Sequence, residues 1–197
     1  MILMQLPIAR YLSPGDGIAA TTGHEAVYWA LTALLIGYIR LIEEQPLSSV
    51  RLQPLTWQSL LYGLVSALIM VGGMAALYVF VLPLLGPSNS ASGLATINAL
   101  PGWLRFLIVV RAAVFEELYF RGFMIERLTN ILGLRWLAVV ISITAFTLAH
   151  LSYWGWAHLI IAGFGGLVLT GLYLIRKDLG TNMIAHFLTD AVGFLLG

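Results

Sequence analysis

Long apolar runs alternate with short polar stretches along the whole chain. The first run, Thr22 to Ile39, is closed by Arg40, Glu43 and Glu44. A polar stretch with Pro46, Arg51 and Pro54 leads to Ser59–Leu85, which carries no charge and exceeds the ~20 residues that cross a bilayer. Gly63, Gly72 and Gly73 inside it predict close helix packing. Residues 86–102 are rich in Gly, Pro, Ser and Asn and predict a loop. A third helix is expected from about Trp103 toward Asn130, then a turn at Leu132-Gly133-Leu134 and a fourth helix from Arg135 to His150. Tyr153, Trp154 and Trp156 read as an interfacial aromatic cluster. The fifth run ends at Ile175, before Arg176, Lys177 and Asp178, and a last helix covers Asn182 to Leu196.

These elements predict an all-α, polytopic transmembrane helical bundle of about six spans. All seven prolines lie at or before residue 101, so the later helices can run unbroken. The pattern divides the chain into an N-terminal membrane segment with two spans and a loop, residues 1–102, and a core of about four helices, residues 103–197. Residues 1–20, with Pro7, Pro14, Gly15 and Gly17, predict a short interfacial segment and a turn. Arg10 follows an uncharged stretch, the reverse of a cleavable signal, so the first span is expected to be retained.

Composition supports the membrane reading. The chain is 60% hydrophobic and 10% charged, against roughly 25% charged in soluble domains. A net charge of +1 gives no basis for nucleic-acid binding. With no cysteine, disulfides, thiol nucleophiles and cysteine-held metals are excluded. Arg40, Arg51, Arg121, Arg127, Arg135, Arg176 and Lys177 fall on one side of a six-span arrangement, which the positive-inside rule makes the cytoplasm. Arg10 and Arg105 remain outside, and Arg111 is intramembrane.

Charge inside the apolar second half marks the chemistry, because ionisable groups at membrane depth persist where they pair or act. Glu117 and Arg121 are i and i+4 with the acid first, the favourable order for an ion pair. Glu116 points about 100° away, toward Ala112 and Ala113, and has no obvious local partner. His150, His186 and Asp190 stand out as three further polar positions. Glu116 lies 17 residues before Gly133 and His150 lies 17 after it, so an antiparallel hairpin sets both at one depth, about 25 Å from the turn. His186, eight residues after Asp178, enters about 12 Å from the same side. Phe146 with His150, and His186 with Asp190, share helix faces. Such a group can activate water: Glu116 takes its proton, His150 helps to polarise it, and the second histidine stabilises an oxyanion.

The motifs resemble those of a known family. Glu116-Glu117-Leu118-Tyr119-Phe120-Arg121 is similar to EExxxR, Phe146-Thr147-Leu148-Ala149-His150 to FxxxH, and His186-Phe187-Leu188-Thr189-Asp190 to HxxxN/D. Their order resembles the CAAX protease and bacteriocin-processing group of intramembrane proteases, over roughly residues 103–197. The resemblance implies an endopeptidase in which Glu116 and His150 activate water, Glu117 and Arg121 hold the site together, and His186 with residue 190 serves the oxyanion. The prenyl-protein endopeptidases of that group carry asparagine where this chain has Asp190. An ionised aspartate cannot donate to an oxyanion, so Asp190 is expected to orient His186 or to be protonated.

The implied substrate is a membrane-associated peptide or protein, in a bacterial-type plasma membrane, with the site reached from the cytoplasm. No cofactor is expected. Zinc is the alternative, with His150, His186 and Asp190 as ligands and Glu116 as base. A proton-coupled carrier and a non-catalytic adaptor or immunity protein are the non-protease alternatives. The carrier finds no internal repeat to support it. His158 is assigned to the interface beside Trp154 and Trp156, and Gly163, Gly166 and Gly171 to a packing face. His24-Glu25 lacks the second histidine of HExxH. The expected topology has residues 86–102 outside and the loops near 45–55, 127–135 and 176–181 in the cytoplasm. A single cysteine placed at Ser90 is predicted to react with an impermeant maleimide from the outer side; labelling from the cytoplasmic side alone contradicts this orientation.

Overall fold

Capping and turn chemistry set where the helices begin and end in the computed structural model, which describes residues 17–85 and 90–196. Helix α1, Ile18–Gly37, continues as a π turn to Ile42. Helix α2, Trp57–Ala76, starts at a capping box in which Thr56 and Ser59 satisfy each other's backbone N–H groups, and runs on through irregular turns to Leu85. Helix α3 is Ser90–Asn98 and α4 is Gly102–Glu116. A π-helical stretch, Glu117–Ile125, joins α4 without a break to α5, Glu126–Leu132. Gly133 closes α5 with φ 68°, a conformation glycine adopts without strain. Then come α6, Arg135–Leu148, the short α7, Leu151–Trp154, α8, Leu159–Arg176, and α9, Leu179–Leu195.

The described residues are helical and contain no strand. Ile18–Ile42, Trp57–Leu85 and Trp156–Arg176 are long and apolar enough to cross a membrane, and Arg135–Leu148 is apolar but shorter. Only 11% of the most apolar window of α2 is buried, and Leu60, Leu64, Leu68 and Ile69 point outward. An outward-facing leucine stripe of that size suits lipid and not water. The protein is an integral membrane helical bundle.

Packing centres on α9, which lies along α2 and α4 and also touches α8; α6 packs on α8 and α1 on α4. Asp178 ties the starts of α2 and α9 together. Its carboxylate accepts from Ser59 Oγ at 2.7 Å, Thr181 Oγ1 at 2.6 Å and the Gly180 N–H at 3.0 Å. Gly63 lets the helices close, since a Cβ there would meet Ile184 Cγ2 at 2.6 Å. Gly72 faces open space and takes no part. Beneath the site, Glu126 accepts from Tyr173 Oη at 2.8 Å and Arg135 Nη2 at 3.1 Å, joining α5, α6 and α8.

Several expected boundaries move. The interfacial segment predicted for residues 1–20 falls mainly outside the described residues, and α1 is already helical at Ile18. The expected loop at 86–102 contains α3, held by Trp154 and Tyr153 packed at Gly93. The fourth helix stops at Leu148, so His150 sits in the turn before α7. The last helix starts at Leu179, because Asp178 caps it there.

Candidate active site

Glu117 is fully buried, and each of its oxygens is held by named donors. Oε1 accepts from Arg121 Nη1 at 2.9 Å and from His186 Nδ1 at 2.9 Å, while Oε2 accepts from Asn182 Nδ2 at 3.1 Å. The predicted Glu117–Arg121 pair therefore forms, but within the π-helical stretch and not on a regular α-helix. Arg121 also donates to the Gly166 carbonyl at 3.3 Å, and its guanidinium lies 4.1 Å over the Phe146 ring. Gly166 permits that approach, because a Cβ there would sit 3.0 Å from Phe146 Cδ1. A Cβ at Gly163 would be in ordinary contact with Thr147, and one at Gly171 would meet open space, so of the three glycines expected to form a packing face only Gly166 is needed for close approach.

Glu116, His150, His186 and Asp190 line one cavity of about 200 Å³, with Ala112 and Phe146 beside them. His150 contributes from the turn after α6. Its Nδ1 donates to the Phe146 carbonyl at 2.8 Å, which leaves Nε2 as the acceptor of the neutral ring. His186 Nε2 faces Asp190 Oδ2 at 3.5 Å, on the helix face their spacing gives them in common. The tight partner of His186 is Glu117, on the opposite side of the ring. Both motif histidines thus have Nδ1 anchored.

Glu116 does have a partner on its own helix, contrary to expectation. Arg111 Nη1 stands 3.7 Å from Glu116 Oε1. Arg111 is itself clamped by Glu25 of α1, with Nε–Oε2 at 3.1 Å and Nη2–Oε1 at 2.8 Å, and lies 4.1 Å over the Tyr28 ring. Glu25, Arg111 and Glu116 are all buried. The intramembrane arginine is neutralised by the first span, a region with none of the motifs.

His158 is also placed differently. It is buried, stacks on the buried Trp154 with ring centroids 4.7 Å apart, and shares a 3.2 Å hydrogen bond through Nδ1 with Tyr78 Oη. Both residues line the same cavity, whereas Trp156 is exposed. Sequence reasoning missed Glu25, Asn182 and Tyr78. A signal existed for two of them: Glu25 is a charge inside an apolar span, and Asn182 shares a helix face with His186. Among the described residues no three His, Asp or Glu side chains gather at metal-binding spacing.

Residues 98–192 match the model of the family described as type II CAAX prenyl endopeptidase Rce1-like. No curated protein matches the chain, and no solved structure does.

The two adjacent glutamates are predicted to differ in what they hold up. Glu117→Gln leaves the buried Arg121 without its counter-ion and is expected to cost about 3–5 kcal/mol of stability. Glu116→Gln removes one of the two carboxylates facing Arg111 and leaves it clamped by Glu25, so it is expected to cost less than Glu117→Gln. Thermal melts in detergent check the ranking; equal losses contradict it.

Proposed function

The chain belongs, through residues 98–192, to the CAAX protease and bacteriocin-processing family, and we propose that it is an intramembrane endopeptidase acting by glutamate- and histidine-activated water. The observation that carries this reading is the convergence of Glu116, His150 and His186, from three separate helical segments, on one buried cavity. A water between the Glu116 carboxylate and His150 Nε2 gives up a proton to Glu116 as its oxygen attacks the scissile carbonyl carbon. The C–O bond forms, the carbonyl becomes an oxyanion, and the C–N bond then breaks as the proton passes from Glu116 to the departing amine.

His186 is the oxyanion donor in this scheme. Its Nδ1 already donates to Glu117, so Nε2 can donate only if the ring is an imidazolium. In this scheme Asp190 at 3.5 Å and Glu117 at 2.9 Å are the counter-charges of that imidazolium. Aspartate in place of asparagine then serves as a counter-charge to His186, and the oxyanion is met by the imidazolium alone. Phe146 is a positioning residue, seated between Arg121 and His150.

The catalytic core comprises residues 103–197, and the first 102 residues supply a cavity wall and the clamp on Arg111. The substrate is a peptide or protein held at the bilayer, reaching the site from the cytoplasmic side of a bacterial-type plasma membrane. In this scheme Glu116 and His150 polarise the water between them without a transition metal.

The test is hydrolysis of a fluorogenic CAAX-type peptide by detergent-purified protein after treatment with a strong chelator. Turnover is expected to survive chelation and to fall at least about 100-fold in Glu116→Gln and in His150→Gln. Activity lost on chelation and restored by stoichiometric zinc, or full turnover by Glu116→Gln, overturns the reading.

A further inference from the structure

The cavity has a second polar station that none of the three motifs includes, the hydrogen-bonded pair of Tyr78 on the extension of α2 and His158 at the start of α8. A neutral imidazole and a phenol own one N–H and one O–H between them. One of those hydrogens occupies the 3.2 Å bond from Tyr78 Oη to His158 Nδ1. The other is left over whichever way the bond is polarised, on His158 Nε2 or on the Tyr78 hydroxyl. The stack on Trp154 fixes the plane of the imidazole, so a donor on His158 Nε2 has a set direction.

Two helices carry this pair along the cavity from Arg121 and Asp190, to the side of His150, whose carbonyl accepts the backbone N–H of Trp154, the residue stacked on His158. Tyr78 lies eight residues beyond Met70, whose sulfur is 3.7 Å from Thr189 Oγ1, next to Asp190 in the chain. His158 lies eight residues before Gly166, whose carbonyl holds Arg121. Eight helical residues rise about 12 Å, so the pair stands at the end of the cavity opposite Arg121. The wall between is apolar, with Met74, Ile161 and Ala162, and no lysine or arginine is among the described residues lining the cavity. A neutral donor in such a wall suits a neutral acceptor, because an unpaired carboxylate would be costly to bury there.

We propose that Tyr78 and His158 form a substrate subsite that donates a hydrogen bond to a backbone carbonyl oxygen of the bound peptide on the His150 side of the scissile bond. This rests on the endopeptidase reading of the cavity and assigns that end of it. It also gives the second span, which lies outside the family match, a direct part in substrate recognition.

The experiment measures binding in a variant that does not turn over, so that it is read separately from hydrolysis. A dansylated, farnesylated CAAX peptide is titrated, as the free acid and as the C-terminal amide, into Glu116→Gln protein and into the same protein also carrying Tyr78→Phe, His158→Leu or His158→Gln. Tyr78→Phe and His158→Leu are expected to raise Kd about three- to tenfold for both peptide forms. His158→Gln, which keeps a donor, is expected to recover most of the loss. Tyr78 is partly exposed, and its phenylalanine variant keeps the ring, so folding is preserved even where His158→Leu is unstable. An unchanged Kd in Tyr78→Phe, no binding of either peptide to the Glu116→Gln parent, or a loss confined to the free acid overturns the proposal. The last result reassigns the donor to a terminal carboxylate. Hydrolysis by the otherwise wild-type protein stands or falls on its own.

Discussion

Burying the Glu117 carboxylate is the constraint on which the rest of the site depends. A lone carboxylate in a bilayer interior is strongly unfavourable, and each missing donor adds to the cost. Three side-chain donors meet it here, from Arg121 on its own helix and from Asn182 and His186 on α9. Two of those donors reach onward to α8, Arg121 to the Gly166 carbonyl and Asn182 to the Leu169 carbonyl at 2.6 Å. One buried anion thereby sets the register of three helices. It also holds His186 Nδ1 and so fixes the plane of that ring, the kind of second contact that keeps a side chain in place.

The adjacent carboxylate inherits a different environment from a rotation of one residue. Glu116 faces the cavity, and the charge behind it is Arg111, whose guanidinium is shared with Glu25. Two buried arginines are set among three buried glutamates, Glu25, Glu116 and Glu117, before the half-buried Asp190 is counted. The π-helical stretch begins at Glu117, at the junction between the two roles. Such irregular turns recur at functional positions because they re-aim side chains that a regular helix would place elsewhere.

What was legible in the chain was local or symmetric about a turn. The i,i+4 spacing announced Glu117–Arg121, and the equal distances of Glu116 and His150 from Gly133 announced their common depth. The long apolar runs announced α1, α2 and α8 within a few residues. Contacts between distant apolar helices were not legible. Glu25 meets Arg111 across 86 positions and Tyr78 meets His158 across 80, and no periodicity connects them. Helix α3 was hidden for another reason. Its Ser-, Gly- and Asn-containing sequence has weak intrinsic preference, and the packing of Trp154 and Ile97 stabilises it from outside. The placement of His158 followed the same logic, since an aromatic neighbourhood at an expected interface closed into a stacked wall.

Hydrolysis in the native membrane tests the central claim most directly. Membranes from cells carrying wild-type protein and from cells carrying Glu116→Gln at matched abundance are compared by mass spectrometry of peptide termini. The account predicts that a set of membrane-associated peptides or proteins ends at new termini only with the wild type, and that the longer precursors accumulate with Glu116→Gln. Identical termini in both membranes, with both proteins folded and equally abundant, would contradict it.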